Sequence, residues 1–481
     1  MPSGEATAPE LFATCLGRVL VVALVVGGLA ALVTVNRLEM LPTLWIAGLT
    51  AAGLAAVGGV GLGLWLTKAP PSWARFTALA LVALLGISLE AVALKASWDV
   101  SGFFEDVAPQ LPTRGYSVIA LDEHDSTEES LQGATIGELT GDPNREGVET
   151  HLREKFSAEF ATCGDQGTLT QQLTAGRFEA AVMDSSIYAA YEEADNAFFD
   201  ATQVLYTFDI TTALVAPTPP TDAAEIGEPF LVYISGIDTS GPISSVSRSD
   251  VNMLMAVNPN TGQILLVNTP RDYYVKLHGY GPTKDKLTHA GIYGVQESID
   301  TLQDLYGVQI DYYARVNFSS LIKMVDLVGG IDVNSPQAFT TVTGQRFAQG
   351  LNHLDGKAAL AFSRERKAFA EGDQQRGKNQ QLVIEALIAK GSQRSNLLRY
   401  NELLGALADA MEMNVPRSQI SNLVKQLLDS GGSWNVQSMS VDGEGASEPT
   451  YSMGSMKLYV MIPDQASVDA ATTKLKEVLR Q

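Results

Sequence analysis

Apolar and polar positions divide the chain into two very different parts. Residues 16–35, 41–66 and 74–95 are apolar stretches almost free of charge. Each is near the ~20 residues a helix needs to cross a bilayer. The first is too long for a signal-peptide core, lacks a cleavage-like site and is followed by two more, so all three are predicted to be retained spans. Beyond them the pattern shortens into strand-like and helix-like runs. "YSVIAL" predicts a strand, "REGVETHLREKFSAEF" an amphipathic helix, "TLTQQLTAGRFEAAVMD" a helix and then a strand, and "ALVAP" a closing strand. This alternation predicts a small α/β layer over residues 98–216, which reads as a structural or interaction module. A Pro-rich acidic connector, 217–229, follows.

The last segment, 230–481, opens on "FLVYISGID", a continuously apolar run that predicts a strand buried on both faces. Two further runs flank "NPNTG", a hairpin signal. Pairing Val257 with Gln263 sets Asp250 opposite Pro270 and brings Arg248 near Arg271. "ALAFSRER" alternates, so an extended run would put Leu360, Phe362, Arg364 and Arg366 on one face. "GDQQRGKNQQLVIEALIAK" predicts a helix capped near Asp373. Arg376 and Gln380 fall in line with apolar Val383 and Leu387, and Lys378 falls on the opposite side.

Composition sharpens this picture. The chain has 481 residues, 46% hydrophobic and 18% charged, with a formal net charge of -21. Two or three units joined to membrane spans fit that balance, and the acidity argues against nucleic acid as a partner. Arg18, Lys68 and Arg75 flank one side of the spans, while Asp99, Glu105 and Asp106 follow the last one. The N-terminus, with residues 1–97, is therefore expected at the cytoplasmic membrane facing the cytoplasm, and the rest outside the cell. Cys15 and Cys163 are too far apart to bridge, so no disulfide is expected.

Against this acidic background Arg248, Arg271, Arg364, Arg366 and Arg376 outnumber the nearby inward carboxylates Asp238, Asp250 and Asp373. Taken singly, each arginine suits a structural ion pair or a solvated face. Together, their planar forks suit phosphate oxygens, and the interspersed carboxylates suit a divalent metal on the same oxygens. His289 reads as a structural histidine.

Through "ISGIDTSGPISSVSRSDVNML", "TPRDYYV", "KDKLTHAGIYG", "VDLVGGIDV" and "FSRERKAFAEGDQQRGKNQQ", residues 230–481 closely resemble the LytR-CpsA-Psr family, in particular its capsule-associated members. The resemblance implies a mixed α/β sheet with helices on both sides, preceded by the accessory α/β layer and three transmembrane helices. It also implies a membrane phosphotransferase that moves a glycopolymer, such as capsular polysaccharide or teichoic acid, from a polyprenyl-diphosphate carrier onto peptidoglycan, assisted by magnesium or manganese. Carried over residue by residue, Arg271, Arg364, Arg366 and Arg376 would hold the diphosphate with Gln380 beside them. Asp238 and Asp250 would organise the metal with Arg248 in support, Lys286 would help bind substrate, and Asp373 would orient the head group or take a proton. Two other readings compete: a non-catalytic membrane regulator of polymer export or chain length, and a lipid-diphosphate hydrolase.

Overall fold

The computed structural model describes residues 111–480 except 123–125, 195, 213–216, 221–222, 238–242, 398–402, 404–405, 408–409 and 431–432. The three apolar stretches lie outside the described residues, as do Cys15 and Asp238. Among the described residues no helix is long and apolar enough to cross a membrane.

The larger unit holds two six-stranded sheets. The first is built from β1 (Thr113–Leu121), β2 (Thr135–Leu139), β3 (Glu159–Cys163), β4 (Ala180–Asp184) and β5 (Thr202–Thr211), in the order β3-β2-β4-β1-β5, with a sixth, two-residue strand, Ser245–Val246, beside β1. Helices α1 (Arg145–Phe156), α2 (Gln166–Thr174) and α3 (Ser185–Glu193) connect its strands. The strand, helix and helix-then-strand runs expected here are all present. The expected closing strand at 213–217 lies, but for Pro217, outside the described residues, and β5 lies along the β1 edge.

At the turn from β4 to α3, Asp184 caps the helix by accepting from the Ser186 backbone N–H at 2.7 Å. Its other oxygen faces Arg114 Nε at 3.5 Å without a hydrogen bond between them. Burial outweighs that arginine and pushes the Asp184 carboxyl up to about 6. The fold thus favours the protonated acid. Its contribution is complete below the usual carboxylate range near 4 and is lost as pH rises through about 6. Urea midpoints should therefore fall over that interval by a free energy on the order of 1–3 kcal/mol. Asp184→Asn, which keeps the cap, should flatten the fall; an unchanged pH profile in that variant would refute the assignment.

The second sheet is made of β6 (Phe230–Ile237), β8 (Ser249–Asn258), β9 (Gln263–Thr269), β12 (Tyr312–Val316), β17 (Met411–Met413) and β18 (Asn435–Ser440), ordered β17-β12-β6-β8-β9-β18. It is mixed: β6 runs parallel to β12 and antiparallel to β8, and β18 runs parallel to β9. Strand β6 is as buried as its apolar run predicts. Helices α4 (Val295–Tyr306) and α9 (Gln465–Arg480) pack into its core through Ile299, Leu302, Val468 and Leu475. Helix α7 (Asp373–Gly391) also meets β9 and β18, and Gln381 donates to the Met439 carbonyl at 2.6 Å. The helix lies so close that a Cβ on Gly377 would stand 2.4 Å from Asn268 Nδ2. Glycine at that position lets the residue before it, Arg376, approach the end of the hairpin.

A third core gathers around α5 (Phe318–Leu327) and α6 (Gly356–Arg364), with β13 (Ile331–Ser335) and β16 (Gly350–Leu354). Phe339, Phe347, Phe362 and Phe369 pack together at ring-centroid distances of 4.7–5.2 Å. Here the extended reading of "ALAFSRER" is corrected, because its first part is helix. Asp355 caps it by accepting from Ala358 N, and Ala359, Phe362 and Ser363 are buried at i, i+3 and i+4. The apparent alternation was the coincidence of two apolar residues at even positions inside a helical repeat.

The two sheets of the larger unit are joined. The short strand β7 (Ser245–Val246) adds to β1 in parallel. Ile292, Met453 and Leu458 share a buried cluster with Ile119, Leu169, Phe178 and Tyr188 of the first layer. Cys163 is buried in the same cluster as a free thiol. The smaller unit includes, among the described residues, Arg394–Leu397 and helix α8 (Arg417–Ser430).

Candidate active site

The hairpin of β8 and β9 determines which charges meet. Its true register pairs Asn258 with Gln263 and Asn252 with Thr269, one residue from the expected pairing. Asp250 therefore faces Arg271 rather than Pro270, and Arg271 Nη1 spans the carboxylate at 3.0 and 3.1 Å. The Thr288 hydroxyl also donates to Asp250 at 3.2 Å.

Arg376 projects inward from the first turn of α7, as the helical phase predicts. Its Nη2 lies 2.7 Å from Asp373 and its Nη1 3.8 Å from Asp250. Arg271 Nε is 3.6 Å from the same Asp373 oxygen. Lys378 points the other way, exposed, to Glu371. Gln380 is half-buried, one turn on from Arg376. Burial, reinforced by the charge of Arg376, lowers the Arg271 guanidinium from its ordinary value. Two buried guanidiniums need anionic partners, and here they share Asp250 and Asp373.

The "RER" tripeptide is divided by the end of α6. Arg364 lies with its guanidinium 4.0 Å over the Phe318 ring. Glu365 turns inward and accepts from the backbone N–H groups of Val342 and Ala368, each at 2.9 Å. Arg366 reaches Glu193 at 3.5 Å. The helix thus corrects the expectation that Arg364 and Arg366 project together from one strand face.

Glu193 was absent from the sequence-derived site. It ends α3 in the first layer, accepts from Arg248 at 2.6 Å, and also meets Arg271 and Arg366. Nothing in "SSIYAAYEEADN" marks it, because only the packing of the two layers brings it to the arginines. Asp272 was also missed, although it directly follows Arg271. Its Oδ1 pairs with Lys286 at 2.8 Å. Burial works to raise this carboxyl, but Lys286 and Arg271 together hold it below the usual range. Lys286 thus stands behind Arg271, joined to it through Asp272. His289 is buried and bonded to Asp285 and Ser452, in keeping with a structural role.

For a divalent cation the candidate donors are Asp250 and, outside the described residues, Asp238. The described residues contain no group of three or more His, Cys, Asp or Glu arranged to hold a metal.

The sequence profile of the LytR_cpsA_psr family matches residues 198–477. The chain belongs to this family. Among its relatives is a protein of Bacillus mycoides (strain KBAB4) named polyisoprenyl-teichoic acid–peptidoglycan teichoic acid transferase TagU. It is 34% identical over 250 residues, covering 52% of this chain and 78% of the relative. TagU of Bacillus subtilis (strain 168) is 32% identical over 255 residues, covering 53% and 79%. The crystal structure of B. subtilis TagU aligns at 30% identity with a TM-score of 0.42, covering 53% of this chain and 98% of that one. Every charged residue of the arginine cluster falls inside the family match except Glu193, which precedes it.

Proposed function

We propose that this family member is a membrane-anchored phosphotransferase acting on the outer face of the cytoplasmic membrane. It transfers a polyprenyl-diphosphate-linked glycopolymer, in particular capsular polysaccharide, onto peptidoglycan through a phosphodiester. The observation that carries this reading is the convergence of Arg271, Arg376 and Arg366 with Asp250 and Asp373 at one end of the hairpin. The relatives' names, teichoic acid transferases to peptidoglycan, support the class of reaction. Residues 16–35, 41–66 and 74–95 would supply the anchor.

Phosphoryl transfer depends mainly on positioning and charge neutralisation, which suits a site built of guanidinium groups. The wall sugar's hydroxyl oxygen bonds to the phosphorus that carries the glycopolymer. The bond from that phosphorus to the bridging oxygen breaks, and polyprenyl phosphate leaves with the electron pair. Arg271 and Arg376 stabilise the charge on the departing phosphate, with Arg366 at the rim and Gln380 beside them, while Arg364, expected there from the family pattern, lies over the Phe318 ring. Asp373 accepts the hydroxyl proton or orients the head group. Asp250's hard oxygens, with those of the substrate, are the donor type that magnesium or manganese takes, and Asp238 would join them. When bound, the ion supplies further neutralisation of the phosphoryl oxygens.

The test incubates the full chain in vesicles with a polyprenyl-diphosphate-linked glycan and peptidoglycan fragments, followed by mass spectrometry. A glycan joined to the fragments through a phosphodiester is expected. Release of glycan phosphate alone would make the protein a hydrolase. No turnover together with no thermal stabilisation by the lipid would leave it a regulator.

A further inference from the structure

Glu193 has no role in the transfer chemistry, yet it occupies the centre of the arginines. Its Oε1 meets Arg271 and Arg366, and its Oε2 meets Arg248. One carboxylate thus faces three guanidiniums from three separate segments, an arrangement that phosphoryl oxygens would also satisfy. The residue is oddly placed for any purpose local to its own helix. It is the last residue of α3, where the carbonyl ends of the helix repel negative charge. Its neighbour Glu192 is exposed, whereas Glu193 is turned inward with a side chain 24% accessible.

We propose that Glu193 is a resident anion of the phosphate site, a carboxylate from the first layer that an incoming diphosphate must displace. The inference rests on the assignment of a diphosphate to these arginines. With the lipid absent, Glu193 offsets the repulsion among Arg248, Arg271 and Arg366 and keeps the site from stray anions. With the lipid present, two linked phosphoryl groups compete for the same guanidiniums, and the partly accessible Glu193 side chain swings out from the end of α3. The layer that carries α3 thereby sets the threshold at which the site fills, without touching the reacting atoms.

Apparent affinity falls by the fraction of molecules whose site is open, so removing the competitor should tighten binding by about tenfold. Calorimetric titration of the full chain with inorganic pyrophosphate in EDTA isolates the guanidiniums from any metal. Glu193→Gln and Glu193→Ala should both bind tighter than wild type, while Glu192→Gln, which removes the same charge one residue away, should match wild type. In transfer assays KM for the lipid should fall in the Glu193 variants with kcat little changed. Equal or weaker pyrophosphate binding by both Glu193 variants would overturn the proposal and make Glu193 a brace for the arginines. Adding Arg271→Ala, which removes the guanidinium shared by Glu193 and the diphosphate, to the Glu193→Gln variant separates the two readings. Binding that survives this change would place the anion elsewhere and remove the diphosphate assignment itself, and absence of binding in every variant would do the same.

Discussion

Arg376→Ala is expected to lower glycopolymer transfer by about 2–5 kcal/mol in kcat/KM, a factor of roughly 30 to several thousand. Arg376 is buried, and its guanidinium lies between Asp373 at 2.7 Å and Asp250 at 3.8 Å. Its removal would take away one side of the anion cradle and leave two carboxylates facing the substrate's phosphates. Lysine should not rescue it, because an ammonium cannot reproduce two-point contact with planar geometry. Lys378→Ala supplies the control from the same helix. That side chain is exposed and paired with Glu371, so transfer should stay near wild type. Initial rates with a defined lipid-linked glycan would measure both. Equal losses at the two positions would remove the case for an inward-facing site on α7.

The other large effect is on stability. Phe362→Ala should lower unfolding free energy by about 3–5 kcal/mol, because the ring is fully buried and a cavity would replace it. Phe339 and Phe347 each lie 5.2 Å from it, centroid to centroid, and cannot both close the gap without leaving their own contacts. The urea midpoint should fall with an unchanged slope. The same helix ends at Arg364 and leads into Arg366, so loosening it should also weaken binding of the lipid. A loss below about 1 kcal/mol would mean that the aromatic cluster repacks freely.

Where local pattern and tertiary demand agreed, the sequence could be read. The buried strand Phe230–Ile237 has no polar residue before Ser235, and the hairpin turn carries its own signal in "NPNTG". The helix from Asp373 kept its phase, so Arg376 inward and Lys378 outward were both legible. The hairpin register was missed by one residue because the turn holds four residues between Asn258 and Gln263, and composition does not select between adjacent pairings. "ALAFSRER" was misread because a short run can satisfy a period of two and a period of 3.6 at once. The N-cap Asp355 was the signal that would have decided it. Glu193 was beyond reach, since its partners lie between 55 and 173 residues away along the chain.

The strand Ser245–Val246 has a consequence for cooperativity. By pairing with the first residues of β1, and with Ile292, Met453 and Leu458 sunk into that sheet's core, the later part of the chain supplies atoms without which the earlier part is unfinished. The two sheets therefore have little freedom to melt in sequence. Denaturant should take them apart in a single transition, and the carboxylate at the end of α3 stays in register with the arginines only while both sheets survive.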